Sequence, residues 1–254
     1  MDAPPQPEWL INLQNLFIDF FEEAGQSFEA STLGIRAFLD DPQNHEDSPS
    51  IAGFAADQAD KQFPFLRSQY AVAMWSSLDH FINSFLHGWL SNHEPAGAVS
   101  EVEKIRVPLS VFRKLDNYDQ IAFLLRQLES ATASTKYGIE RFEVLLKVFG
   151  LEGDLPGDIK TVLNMHCMAR NLIVHRCGIV DSKFLQNCRS WRGATAGDVL
   201  SVSTKMLELF QKTLICYCLI VAKRASTILG TDFIDPQTQI LDFDQLFVDL
   251  DNSF

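Results

Sequence analysis

Arg170, Asn171 and His175 fall within six residues, in the run Arg170-Asn171-Leu172-Ile173-Val174-His175, followed at once by Arg176-Cys177-Gly178-Ile179-Val180-Asp181. A guanidinium can hold two phosphate oxygens at once and stays charged at any physiological pH. An amide can orient the bound group. An imidazole, with a reference pKa of about 6.5, can take or give a proton near neutrality. Arg176 and Lys183 add two cations close by. The chemistry this set serves is holding a phosphate ester and moving a proton beside it. Arg170 and His175 are the candidates for charge and proton transfer, and Asn171, Arg176 and Lys183 for phosphate contact.

A helix must position them. Asn171 and His175 are four apart and share one helix face, while Arg170 sits about 100° round from Asn171. A long arginine side chain sweeps that arc, so the three heads can converge. The helix is expected from about Pro156, suited to a first turn, to Cys177, with Gly178 ending it. The same residues also fit a structural cap, with His175 on terminal carbonyls and Arg170 paired to an acid.

The rest of the chain frames this segment. Its 254 residues can bury a sizeable core, and 46% hydrophobic with 21% charged residues is ordinary globular composition. Twenty Phe against four Tyr and four Trp point to dry packing between helices. A net charge of −12 argues against wholesale coating of nucleic acid. Yet between Lys160 and Arg192 six basic residues face one acid, Asp181. An anionic ligand would settle on that island, though a solvated helix face reads equally well. The five cysteines lack metal or redox spacing and fall among apolar residues, so reduced, buried thiols are expected. No signal-peptide pattern and no bilayer-length apolar run occurs, and a cytoplasmic location away from membranes is expected.

Helical periodicity dominates the chain. Pro4, Pro5 and Pro7 read as part of a disordered lead over 1–8, and Trp9, Leu10, Leu13, Leu16, Phe17, Phe20 and Phe21 as an amphipathic helix. Asp41–Ser50 reads as a polar loop. A long helical pattern spans Ala52 to Leu90, with Phe65, Leu78, Phe81, Ile82, Phe85 and Trp89 on a broad face and Pro64 beginning or kinking it. Pro95–Pro108 reads as a connector. Ile121–Leu128 and Ile139–Phe149 read as helices, and a last long helix starts at Ser203, with Leu207, Phe210, Leu214, Tyr217, Val221 and Ile228 inward. Val199–Val202 is one short strand at most. The expectation is an all-α antiparallel bundle in one domain over 9–229, with N-terminal helices over 9–150 and the motif half over 151–229. Residues 230–254 form an acidic-hydrophobic tail that either closes the bundle or docks on the basic island.

Arg-Asn-x-x-x-His followed by Gly-Ile-Val-Asp at a helix end, in an all-α chain, resembles the HEPN family (higher eukaryote and prokaryote nucleotide-binding domain). With its flanks, through Lys183-Phe184-Leu185 and Gly197-Asp198-Val199-Leu200-Ser201 before a long helix, the segment is most similar to prokaryotic HEPN proteins of toxin–antitoxin and phage-defence loci. The resemblance covers about 151–229; the N-terminal half is similar only as helices of suitable length. It implies a bundle that forms a two-fold homodimer with the motifs facing across a cleft, and a metal-independent endoribonuclease without cofactor. His175 would be general base or acid for attack of the ribose 2′-hydroxyl, Arg170 would stabilise charge on the phosphorane, and Asn171 would orient the phosphate. RNA would be the substrate, and an antitoxin or other regulatory protein a possible partner. The alternative within the same family is a non-catalytic dimer that binds a nucleotide, RNA or protein.

Other groupings are weaker. His80 and His87, with Asp79, share an aromatic helix but lack an evident third ligand, and core or interface roles fit them better than metal. Cys216 and Cys218 fall on different faces of a helix and read as packing.

Overall fold

The computed structural model describes residues 4–93, 103–188, 191 and 193–233, and in these the chain is all-α. Ten helices occur among them: α1 (Glu8–Asp40), α2 (Pro42–Asp47), α3 (Pro49–Asp60), α4 (Pro64–Asn92), α5 (Leu109–Phe112), α6 (Asn117–Thr132), α7 (Ile139–Val148), α8 (Gly157–Arg176), α9 (Ser182–Asn187) and α10 (Thr204–Leu229). None is long and apolar enough to cross a membrane. Sheet-like pairing among the described residues is limited to one antiparallel bridge, Ile179 with Val199.

Three long helices, α4, α8 and α10, pack on one another, and α1 lies against α4. Their apolar faces merge in one cluster running from Leu10 to Ala225. Phe17, Phe21, Trp75, Phe81, Phe85, Phe142 and Phe210 are all buried in it, the dry aromatic packing that the phenylalanine excess predicts. At its centre His166 of α8 is fully buried. Its ring stacks on Phe210 of α10 at 4.1 Å and meets Trp75 of α4 edge-on at 5.5 Å. Nε2 donates to the Ala71 carbonyl at 2.7 Å, leaving Nδ1 without a partner. Burial pushes this imidazole down to about 4, so it is neutral at physiological pH.

Several boundaries differ from the sequence reading. Asp41–Ser50, read as a loop, holds α2 and the start of α3, parted at Ser48. Asp41 caps α2 by accepting from the Gln43 N–H at 3.0 Å, and Pro42 and Pro49 occupy first helical turns, where a missing N–H costs nothing. The Ala52–Leu90 pattern is two helices, broken at Lys61-Gln62-Phe63. Pro64 disfavours the α region for the residue before it, and Gln62 and Phe63 take left-handed conformations, φ 57° and 59°. The break turns Phe65 outward, 56% exposed, while Leu78, Phe81, Ile82, Phe85 and Trp89 are buried as read.

Pro4 and Pro5 of the proline-rich lead are exposed, yet the segment is tied down by hydrogen bonds. Gln6 is buried and donates to Gln14 at 3.1 Å, and the Pro4 carbonyl accepts from the Asp232 N–H at 3.0 Å. Pro156 is the N-cap of α8 rather than part of its first turn, and Ile228 is exposed rather than inward. Ser203 caps α10 as read, its hydroxyl accepting from the Met206 N–H at 3.2 Å. Four cysteines are buried and free; Cys177, expected to be buried, is exposed. Most of the 230–254 tail, the first part of the Pro95–Pro108 connector, and Arg189 and Arg192 of the basic stretch lie outside the described residues.

Candidate functional site

The C-terminal half of α8 presents one polar stripe. Asn164, Cys167, Asn171 and His175 follow at spacings of three and four, which places them along one face. The opposite side, with Val162, Met165, His166, Ala169 and Leu172, is buried against the core. The helix stops where Gly178 was expected to stop it. Cys177 and Gly178 are both left-handed, φ 51° and 76°, and the Gly178 N–H returns to the Leu172 carbonyl at 2.9 Å. That closure leaves His175 and Arg176 in the last turn, beside backbone carbonyls without helical partners.

The chain then turns into α9. Asp181 caps α9, its Oδ1 accepting from the Phe184 N–H at 2.7 Å, while Oδ2 pairs with Arg176 at 3.2 Å. The intervening residues are stitched to the loop before α10: Val180 N–H to Asp198 O at 2.9 Å, Gly197 N–H to Val180 O at 3.0 Å, and Leu200 N–H to Gly178 O at 2.8 Å. The Gly-Ile-Val-Asp and Gly-Asp-Val-Leu-Ser runs thus lie against each other and hold the helix end.

Between α8, α9 and the α6–α7 turn opens a cleft of 280 Å³, lined by Tyr137, Met168, Asn171, Leu172, His175, Arg176, Asp181, Lys183 and Phe184. Four of the five residues expected from the sequence are there. His175 is exposed, with no hydrogen bond or ion pair among the described residues, so its imidazole is open to a ligand. Arg176 is exposed but engaged by Asp181. The Lys183 ammonium stands 5.8 Å from the centre of the Tyr137 ring.

The fifth, Arg170, is not among the lining residues. It is half-buried, and its Nη1 donates to Asn171 Oδ1 at 2.9 Å. On its other side the charge of Arg170, after that of Arg141, draws down the carboxyl of Asp79, which burial raises more strongly. Asn171 in turn donates from Nδ2 to the Tyr137 hydroxyl. Both ends of that amide are therefore occupied.

Tyr137 is the residue that sequence reading missed. It precedes Gly138, whose φ of 59° and ψ of −135° suit glycine; a Cβ there would fall 2.4 Å from Asn164 Oδ1. The same Oδ1 accepts from the Ile139 N–H at 3.3 Å, so α8 pins the turn that carries the tyrosine. Burial raises the Tyr137 phenol above its ordinary value, keeping it protonated near neutrality. No signal in the local sequence marks it, because its place depends on a contact across 34 positions.

His80 and His87 do not converge on a ligand. Asp79 is paired with Arg141, and the His87 ring lies on Tyr118 at 4.1 Å. No group of three metal-binding side chains occurs among the described residues.

No family model matches the chain, and it has no significant match among curated proteins or solved structures.

Proposed function

We propose that this chain is a metal-independent endoribonuclease of the HEPN type, a helical bundle acting as a two-fold homodimer. The observation that carries the reading is the imidazole of His175, without a partner among the described residues, in a cleft it shares with Asn171, Arg176 and Lys183. Arg176 and Lys183 supply charge for the phosphate, and Arg170 adds charge behind Asn171. His175 takes the proton of a ribose 2′-hydroxyl as that oxygen bonds to phosphorus. The bond from phosphorus to the 5′-oxygen breaks, and the leaving oxygen needs a proton. One chain offers one such histidine, so the same residue of a second copy is the fitting donor. The products are a 2′,3′-cyclic phosphate and a free 5′-hydroxyl. The toxin–antitoxin or antiviral setting, and a regulatory protein partner, follow from the resemblance of the motif and its flanks.

A second reading draws on the engagement of Arg176 by Asp181 and of Arg170 by Asn171. With both guanidiniums held internally, the cleft would bind a nucleotide, RNA or protein without cutting. RNA incubated in EDTA with the wild type and His175→Ala separates the two. The ribonuclease reading expects cleavage that falls by about 10²–10⁴-fold in the variant. A folded protein that binds RNA and leaves it intact supports the second.

A further inference from the structure

The motif arginine does not line the cleft, and the amide beside it is bonded at both ends. A different group must therefore face the phosphate from this side. We propose that the Tyr137 hydroxyl is the hydrogen-bond donor which the cleft offers to a phosphate oxygen, and that Arg170 and Asn171 act through it as positioning residues. This rests on the ribonuclease reading of the same cleft.

Each link has a fixed direction. Arg170 donates to the Asn171 carbonyl oxygen, and the Asn171 amide nitrogen donates to the Tyr137 oxygen. A phenol that accepts from an amide still has its own hydrogen to give. Among the described residues the nearest claim on that hydrogen is the Cys167 thiol, a weak acceptor that Asn171 Nδ2 also approaches at 3.8 Å, and an anionic phosphate oxygen displaces it. Three donors in series, with a guanidinium at the far end, polarise one another toward the cleft. Tyr137 is 47% exposed and lines the cleft, so a ligand there meets it. Its position is over-determined: Asn171 holds the hydroxyl, Asn164 holds the Ile139 N–H two residues on, and Lys183 stands over the ring. Asn164 and Asn171 are seven apart on α8, the same face that carries His175. One helix face thus sets both the imidazole and the phenol.

The test is a double-mutant cycle in RNA cleavage with Tyr137→Phe, Arg170→Met and the pair, each verified as folded by its thermal transition. Tyr137→Phe is expected to lower kcat about 30-fold with KM within about twofold, as for a contact made in the transition state. Because Arg170 acts through Tyr137, the double variant is expected within about threefold of the worse single one. Losses that multiply would place Arg170 on the phosphate directly and overturn the relay. A second readout needs no turnover: uridine 3′-monophosphate titrated into protein with 13C-labelled tyrosine and histidine rings. A Tyr137 signal that moves in the wild type but not in Asn171→Ala supports the proposal. A His175 signal that moves while Tyr137 stays still overturns it and leaves the ribonuclease reading standing. If neither signal moves and no RNA is cut, both fall.

Discussion

Nη1 of Arg170 lies 2.9 Å from Oδ1 of its chain neighbour Asn171, although adjacent helical residues do not face each other. The guanidinium crosses that arc on its long stem and ends behind the amide instead of in the cleft. The motif's three polar residues therefore act at different depths: His175 exposed, Asn171 half-buried in the wall, and Arg170 behind it. A charge placed there polarises the wall from inside and is screened by salt less than the exposed charges of Arg176 and Lys183.

Asp181→Asn separates the two jobs of that side chain. An asparagine keeps the cap on α9 but releases Arg176, which is 60% exposed. Stability is expected to change by less than about 1 kcal/mol, since exposed ion pairs contribute little. RNA affinity at low salt is expected to rise about two- to fivefold, with about one more unit of slope against log salt. Filter binding across a salt series checks both. An unchanged slope would mean Arg176 does not meet phosphate.

Gly138→Ala is expected to cost about 2–3 kcal/mol of stability. The new Cβ would fall 2.4 Å from Asn164 Oδ1, in a backbone region that non-glycine residues avoid. Urea unfolding measures the loss. Because the turn carries Tyr137, cleavage should also fall in protein that is still fully folded.

Arg224→Met tests the support on the far side of α8. Arg224 bonds both oxygens of Glu143 at 3.1 Å, and reaches the carbonyls of Leu151, Gly153 and Asp154 at 3.4, 2.7 and 3.2 Å. Its removal leaves Glu143 with Tyr217, at 2.7 Å, as its remaining hydrogen-bond partner and frees the backbone leading into α8. A loss of about 3 kcal/mol is expected in chemical denaturation.

His166 makes stability fall in acid. Its folded value of about 4 lies below the unfolded value of about 6.5, so between these pH values the unfolded chain binds more protons. The unfolding free energy therefore rises with pH through this window. The contribution is fully present above about pH 6.5 and shrinks as pH falls toward 4, by about 3 kcal/mol in all. Urea midpoints at pH 7.5 and 5 check it, and His166→Phe should narrow the gap between them.

The sequence and the structure agree best where one local signal decides the outcome. Ser203 starts α10, Gly178 helps end α8, and Leu10, Phe17 and Phe21 of α1 with Leu78, Phe81 and Phe85 of α4 are buried, while Leu16 and Phe65 of the same patterns are exposed; caps and periodicity act within a turn or two. The 41–63 region reads as a loop followed by part of one long helix, and the structure makes it α2 and α3. Its prolines both start helices and end the preceding ones, and composition alone does not say which. In the site, His175, Asn171, Arg176 and Lys183 were legible from spacing. The direction of Arg170 and the presence of Tyr137 were not. Both depend on which long-range neighbour a side chain meets, and no local pattern encodes that.

The most direct measurement of the central claim is cleavage, in EDTA, of an RNA oligonucleotide and of its twin carrying a single 2′-deoxy nucleotide at the cut. The account predicts 2′,3′-cyclic phosphate and 5′-hydroxyl ends from the RNA, no cut at the deoxy position, and loss of cleavage in His175→Ala. Scission of the deoxy twin, equal activity of the histidine variant, or no cleavage by the folded wild type would contradict it.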